Sequence, residues 1–140
     1  MKKNKIFLDS NVLIAGLVSS VGASGAVLGL IKENILEINI SRLVLEESER
    51  NLRKKLPRFL SYYFYAIKNF PFVIIEDSKR FDNKIEKLFP KESDLIIFQT
   101  VQKLKPDYFL TLNRKHFHQE SIKKIANFKI CTPAQFLDEF

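Results

Sequence analysis

Asp9, Glu47, Asp94 and Asn113 are the polar residues of this chain best placed to do chemistry together. Asp9 closes the apolar run Ile6-Phe7-Leu8 and is followed by Ser10-Asn11 and then Val12-Leu13-Ile14. That order puts a carboxylate where a buried strand ends and a helix begins, the edge at which open α/β sheets bind ligands. A carboxylate kept there is costly unless something cationic meets it. Oxygen donors gathered at such an edge suit Mg²⁺ or Mn²⁺. Zinc is disfavoured, because Cys131 is the only sulfur donor and His116 and His118 read as part of a solvated loop.

Helical periodicity tests which acids can turn inward. With Asp94 at the origin of a helix over 93–104, Ile97, Phe98 and Val101 fall within about 60° of it at about 100° per residue. Asp94 therefore shares the apolar stripe, although an acid in a first helical turn is also an ordinary cap. On a helix over 42–56, Glu47 lies between Leu43 and Val44 around the circumference. Glu46 faces the polar side near Arg53, and Glu49 lies at the stripe's other margin toward Leu56. A solvated face is the common fate of any helical Glu.

These residues need elements to carry them, and the patterning supplies alternating strands and helices. Strands are expected over 5–9, 36–40, 72–75, 107–111 and 128–131. Helices are expected over 11–20, 25–33, 42–56, 58–69, 79–88, 93–104 and 119–126, with a last one opened by Thr132-Pro133. Ser10 or Asn11 is the expected cap of the first helix, and Ser41 of the third. Strands alternating with helices argue for a central parallel sheet of about five strands covered on both faces, within a single domain over 1–140.

Composition narrows the partners. With 23 basic and 16 acidic residues the net charge is +7, which favours a polyanion such as nucleic acid over simple solvation. Basic groups gather at Lys2, Lys3 and Lys5, at Arg53-Lys54-Lys55, at Arg114-Lys115 and at Lys123-Lys124. Arg114 and Lys115 follow Asn113 directly and are the best placed for phosphate contacts. Phe59, Tyr62, Tyr63, Phe64 and Tyr65 make an aromatic band that suits core packing or a dimer face better than base stacking. A lone cysteine excludes an internal disulfide, and no apolar run reaches the length of a membrane span. A cytoplasmic protein is the expectation. The chain lacks a Gly-rich phosphate loop and a G-x-S-x-G elbow, which disfavours P-loop nucleotide binding and serine chemistry.

Four segments in order resemble the motifs of the PIN-domain family, which includes VapC-like toxin ribonucleases. Phe7-Leu8-Asp9-Ser10-Asn11 is similar to the first, and Ser41 with Glu47 six positions on is similar to the second. Glu92-Ser93-Asp94-Leu95 resembles the third, and Asp107-Tyr108-Phe109-Leu110-Thr111-Leu112-Asn113 the fourth. The resemblance implies a three-layer α/β/α fold and a metal-dependent endoribonuclease. Asp9, Glu47 and Asp94 would hold Mg²⁺ or Mn²⁺, with Asn11, Thr111, Asn113 and Glu92 in support. It further implies RNA as substrate, an antitoxin protein as partner and a homodimer. Asn113 stands where the family usually carries an acid, which removes one negative charge.

That departure leaves a second reading open, a PIN-fold module that holds RNA or protein without cutting. A phosphatase of the haloacid dehalogenase type would also begin with an acid after the first strand. It wants a second acid two residues later, where this chain has Asn11.

Overall fold

The computed structural model describes residues 3–79 and 82–140. Lys2 of the N-terminal basic group and positions 80–81 of the expected helix 79–88 lie outside the described residues.

Five strands form one parallel sheet: β1 (Asn4–Leu8), β2 (Leu36–Ser41), β3 (Val73–Ile75), β4 (Tyr108–Leu110) and β5 (Lys129–Cys131), in the order β3-β2-β1-β4-β5. The central strands β1, β2 and β4 are buried on both faces, whereas the edge strand β3 is partly exposed. Phe7, Leu8, Ile38, Ile40, Phe109 and Leu110 are wholly buried. The helices are α1 (Ser10–Val18), α2 (Ala23–Lys32), α3 (Arg42–Lys55), α4 (Leu60–Asn69), α5 (Glu92–Leu104), α6 (Arg114–Phe117), α7 (Glu120–Ile125) and α8 (Pro133–Glu139). The chain steps from β1 to β2 to β3, then crosses back through α5 to β4 and on to β5. Right-handed crossovers place α1–α4 on one face and α5–α7 on the other, giving the expected three layers. The winding reverses between β1 and β4, so a crevice opens beyond their C-terminal ends.

Register sets what meets in that crevice. Leu8 pairs with Leu110, and Leu110 with Cys131. The ladder continues one step as Asp9 N–H donates to Leu110 O and Thr111 N–H to Cys131 O, each at 3.0 Å. Asp9 and Thr111 therefore sit level on neighbouring strands.

Two expectations at element boundaries are corrected. Asp9 itself, not Ser10 or Asn11, is the N-cap of α1, and its side chain accepts from Ser10 N–H. The described part of 79–88 holds only a 3-10 turn, Glu86–Leu88. Asp82 accepts from Lys84 N–H at 2.9 Å, a local bond that competes with helical pairing. The α6 turn was not foreseen. Ser41 does cap α3, accepting from Val44 N–H, and Thr132 forms a reciprocal capping box with Gln135 in α8.

The aromatic band divides. Tyr63 is buried and donates to Leu45 O at 2.9 Å, whereas Tyr62, Phe64 and Tyr65 stay exposed, as do Val73 and Ile74 on the edge strand β3. No single helix among the described residues is long and apolar enough to cross a membrane, and the apolar pair α1 and α2 is bent by 87°.

Candidate active site

Asp9 is 4 % exposed, and every hydrogen bond it accepts comes from a neighbour that the fold places there. Its Oδ1 accepts from Ser10 N–H at 2.9 Å. Its Oδ2 accepts from the Thr111 hydroxyl at 2.7 Å and from the Asn11 amide at 3.4 Å. Asn11 in turn accepts from Leu112 N–H at 3.0 Å, and Thr111 Oγ1 accepts from Asn113 N–H at 3.0 Å. Asn11 and Thr111 thus stitch the start of α1 to the segment after β4, with Asp9 held between them. Burial nevertheless pushes the Asp9 carboxyl above its usual range. The Thr111, Ser10 and Asn11 bonds work against that rise, and the Asp94 charge adds to it.

Glu47 reaches the same crevice from α3. The Ser10 hydroxyl donates to its Oε2 at 3.5 Å, at the long limit of such a bond. Its carboxyl is also pushed up, first by burial and then by the negative charges of Asp9 and Asp94, while Arg50 and Lys91 pull it down. Three carboxylates from three elements therefore feel one another's charge. Glu46 is exposed, and it is Glu49 rather than Glu46 that meets Arg53, at 3.3 Å.

Asp94, 7 % exposed, occupies the first turn of α5 with Leu95, Ile97, Phe98 and Val101 buried on the same helix. Its Oδ2 lies 2.6 Å from His116 Nδ1, but the contact lacks hydrogen-bond geometry. Asp94 Oδ2 and Glu47 Oε1 are consequently buried without a hydrogen-bond partner. Orphaned carboxylate oxygens beside further negative charge are what a hard cation satisfies. Among the described residues no three His, Cys, Asp or Glu side chains form a ready metal cluster in this arrangement. The donor set suits a divalent ion in kind, and ligation requires these side chains to draw together.

The remaining residues singled out in the sequence divide. Asn113 caps α6, its Oδ1 accepting from His116 N–H at 3.2 Å, and so it stands beside the carboxylates without joining them. Glu92 is exposed at the entrance of α5, beside Glu86, Phe89, Pro90 and Leu95, and no hydrogen bond among the described residues ties it to the cluster. Arg114 and Lys115 are exposed on α6. Arg114 also lines a cavity of about 330 Å³ with Ala15, Ser24, Leu112 and Thr132. A cavity of about 1150 Å³ lies between Glu76–Lys79 and α5, and its lining among the described residues includes none of Asp9, Glu47 and Asp94.

His116, expected in a solvated loop, instead sits half-buried on α6 against Asp94. It is three positions beyond Asn113, the offset at which a capping side chain meets a helical backbone N–H, and that spacing was the available signal. His118 differs: its Nε2 lies 2.9 Å from Thr111 O, and burial lowers its pKa.

No protein-family profile matches the chain, and no curated protein is similar to it in sequence. Solved structures are similar in shape. One is VapBC2 from Rickettsia felis bound to a DNA fragment from its promoter, with a TM-score of 0.67, 20 % identity and coverage of 91 % of this chain and 98 % of that one. Another is DNA-bound VapBC from Salmonella typhimurium, with a TM-score of 0.62, 14 % identity and coverage of 93 % and 98 %. At these identities the likeness speaks for the fold alone. The likeness runs over nearly the whole of both chains, and this chain has a VapC-like PIN fold.

Proposed function

We propose that this protein is a metal-dependent endoribonuclease and the toxin of a toxin–antitoxin pair. The observation that carries the reading is the convergence of Asp9, Glu47 and Asp94 at the β1/β4 crevice, with two buried oxygens unsatisfied. Mg²⁺ or Mn²⁺ held by these three carboxylates supplies Lewis-acid charge on a phosphodiester and on the attacking water. The chain's own groups do the rest. Thr111 and Asn11 fix the Asp9 carboxylate, and Ser10 steers Glu47. Arg114 and Lys115, next to the site and exposed, take backbone phosphates of the RNA.

The VapBC likeness supports an antitoxin partner. The exposed Tyr62, Phe64 and Tyr65, and the exposed edge residues Val73 and Ile74, supply apolar area for that partner or for a second copy of the chain. The charge balance and the VapC-like fold support a cytoplasmic role.

One observation favours a second reading. Asn113 is engaged as a helix cap, so the site carries three acids and not four. A PIN-fold module that binds RNA without cutting it would look the same. Incubation of single-stranded RNA with the protein and Mn²⁺ separates the two. Cleavage that EDTA abolishes and that Asp9→Asn lowers by about 10²-fold or more supports the enzyme. RNA retained intact by both proteins supports the binding module.

A further inference from the structure

We propose that the cavity between the α1–α2 junction, the segment after β4 and the start of α8 seats a phosphate of the RNA strand, one that flanks the bond being cut. This rests on the ribonuclease reading above and adds a subsite to it. The cavity, of about 330 Å³, adjoins the carboxylate crevice. Leu112, in its wall, donates its N–H to Asn11, and Asn11 donates to Asp9. A strand whose scissile phosphate lies over the carboxylates therefore has a neighbouring phosphate within reach of the cavity.

The chemistry of the walls points to an anion. Gly22, Ala23 and Ser24 bring the N-terminus of α2 to the cavity, and Gly22 as N-cap has no side chain to offer. The N–H groups of Ala23, Ser24 and Gly25 meet no acceptor among the described residues. Unpaired N–H groups at the positive end of a helix dipole bind anions. Ser24 is 7 % exposed, and the little surface it keeps lines the cavity. Its hydroxyl has no hydrogen-bond partner among the described residues, so a donor in a nearly buried side chain is left open to a ligand. Arg114 adds a full positive charge, and no Asp or Glu is among the described lining residues. The apolar Ala15, Leu112 and Pro133 suit the sugar that accompanies a phosphate. Contiguity with the carboxylate crevice favours an RNA strand over an acidic side chain of a protein partner.

Gly22→Asp tests the seat from within. Gly22 has extended backbone, φ −82° and ψ 176°, and a Cβ there meets nothing nearer than Ser19 Oγ at 4.0 Å. An N-cap Asp accepts from the free N–H groups and puts negative charge where the phosphate belongs, while supporting the helix. In EDTA, where nothing is cut, anisotropy of a labelled single-stranded RNA should show binding weaker by about tenfold or more, at an unchanged or higher melting temperature. Arg58→Ala lowers the net charge by the same one unit and should bind as wild type does. Ser24→Ala should lose about threefold in affinity and nothing in melting temperature, since its hydroxyl has no partner to lose. In the wild type alone, added RNA should shift the amide NMR signals of Ser24 and Gly25, which decides even if a variant fails to fold. RNA that binds wild type and Gly22→Asp equally and leaves those amides in place overturns the seat, and the cleavage test of the ribonuclease reading is untouched. Equal losses in Gly22→Asp and Arg58→Ala overturn it as an effect of net charge. Amides that respond to poly-glutamate but not to RNA assign the cavity to a protein partner instead. Wild type that neither binds nor cuts RNA overturns both readings.

Discussion

Glu47 shows what the crevice costs the protein when it holds no cation. Its folded pKa is raised above the ordinary 4.5 by burial and by Asp9 and Asp94. Between the unfolded and folded values the native state keeps a proton that the unfolded chain has released. Stability therefore falls as pH rises through that window, and the penalty is complete above it. Glu47→Gln removes the charge and keeps the shape. In EDTA at pH 7 the variant should melt at a higher temperature than wild type, and the gap should close near pH 4. Added Mn²⁺ should raise the wild-type melting temperature more than the variant's, since an ion bound only to the native state stabilises it by mass action. Parallel melts at every pH would mean that solvent screens the three charges from one another.

At the scale of elements, the strands and most helices were legible because their apolar periodicity is strong and their caps are conventional. Ser41 and Thr132 open α3 and α8 as their types and positions suggest. What escaped depends on tertiary context. Asp9 took the cap of α1 because Thr111, from a strand distant in sequence, holds its other oxygen in place. The one-turn α6 is too short for any period to reveal, so its histidine could be read as loop. In the described part of 79–88, the bond that Asp82 accepts from Lys84 N–H outweighed a modest helical pattern. The α1–α2 bend also has a local cause. A Cβ on Gly25 would lie 2.3 Å from Ser19 O and 2.7 Å from Ser20 Cα, backbone atoms that cannot swing aside. Gly25→Ala should lower stability by about 1–3 kcal/mol, read from the urea midpoint. Gly29 has open space around the same point, so Gly29→Ala should raise stability by up to about 1 kcal/mol through helix propensity. Equal midpoints for the two variants would show that the α1–α2 junction tolerates a shift.

The whole molecule sets an acidic crevice within a chain of net charge +7. A polyanion is drawn to the basic surface and repelled by bare carboxylates, so on the proposed ribonuclease reading an ion in the crevice would change both how RNA approaches and what happens to it. The surface contribution can be measured apart from chemistry. In EDTA, anisotropy of a labelled single-stranded RNA reports binding without cleavage, and the logarithm of affinity should fall linearly with the logarithm of salt concentration. Each phosphate contact on single strands contributes about 0.7 to that slope. Arg114 and Lys115 are exposed on α6 beside the crevice. Arg114→Ala and Lys115→Ala should therefore each flatten the slope by about 0.7 and weaken binding alike for unrelated RNA sequences. Arg58 lies before α4, and Arg58→Ala should leave the slope unchanged. A slope that ignores α6 but responds to Arg58 would move the RNA path off the crevice and away from the carboxylates.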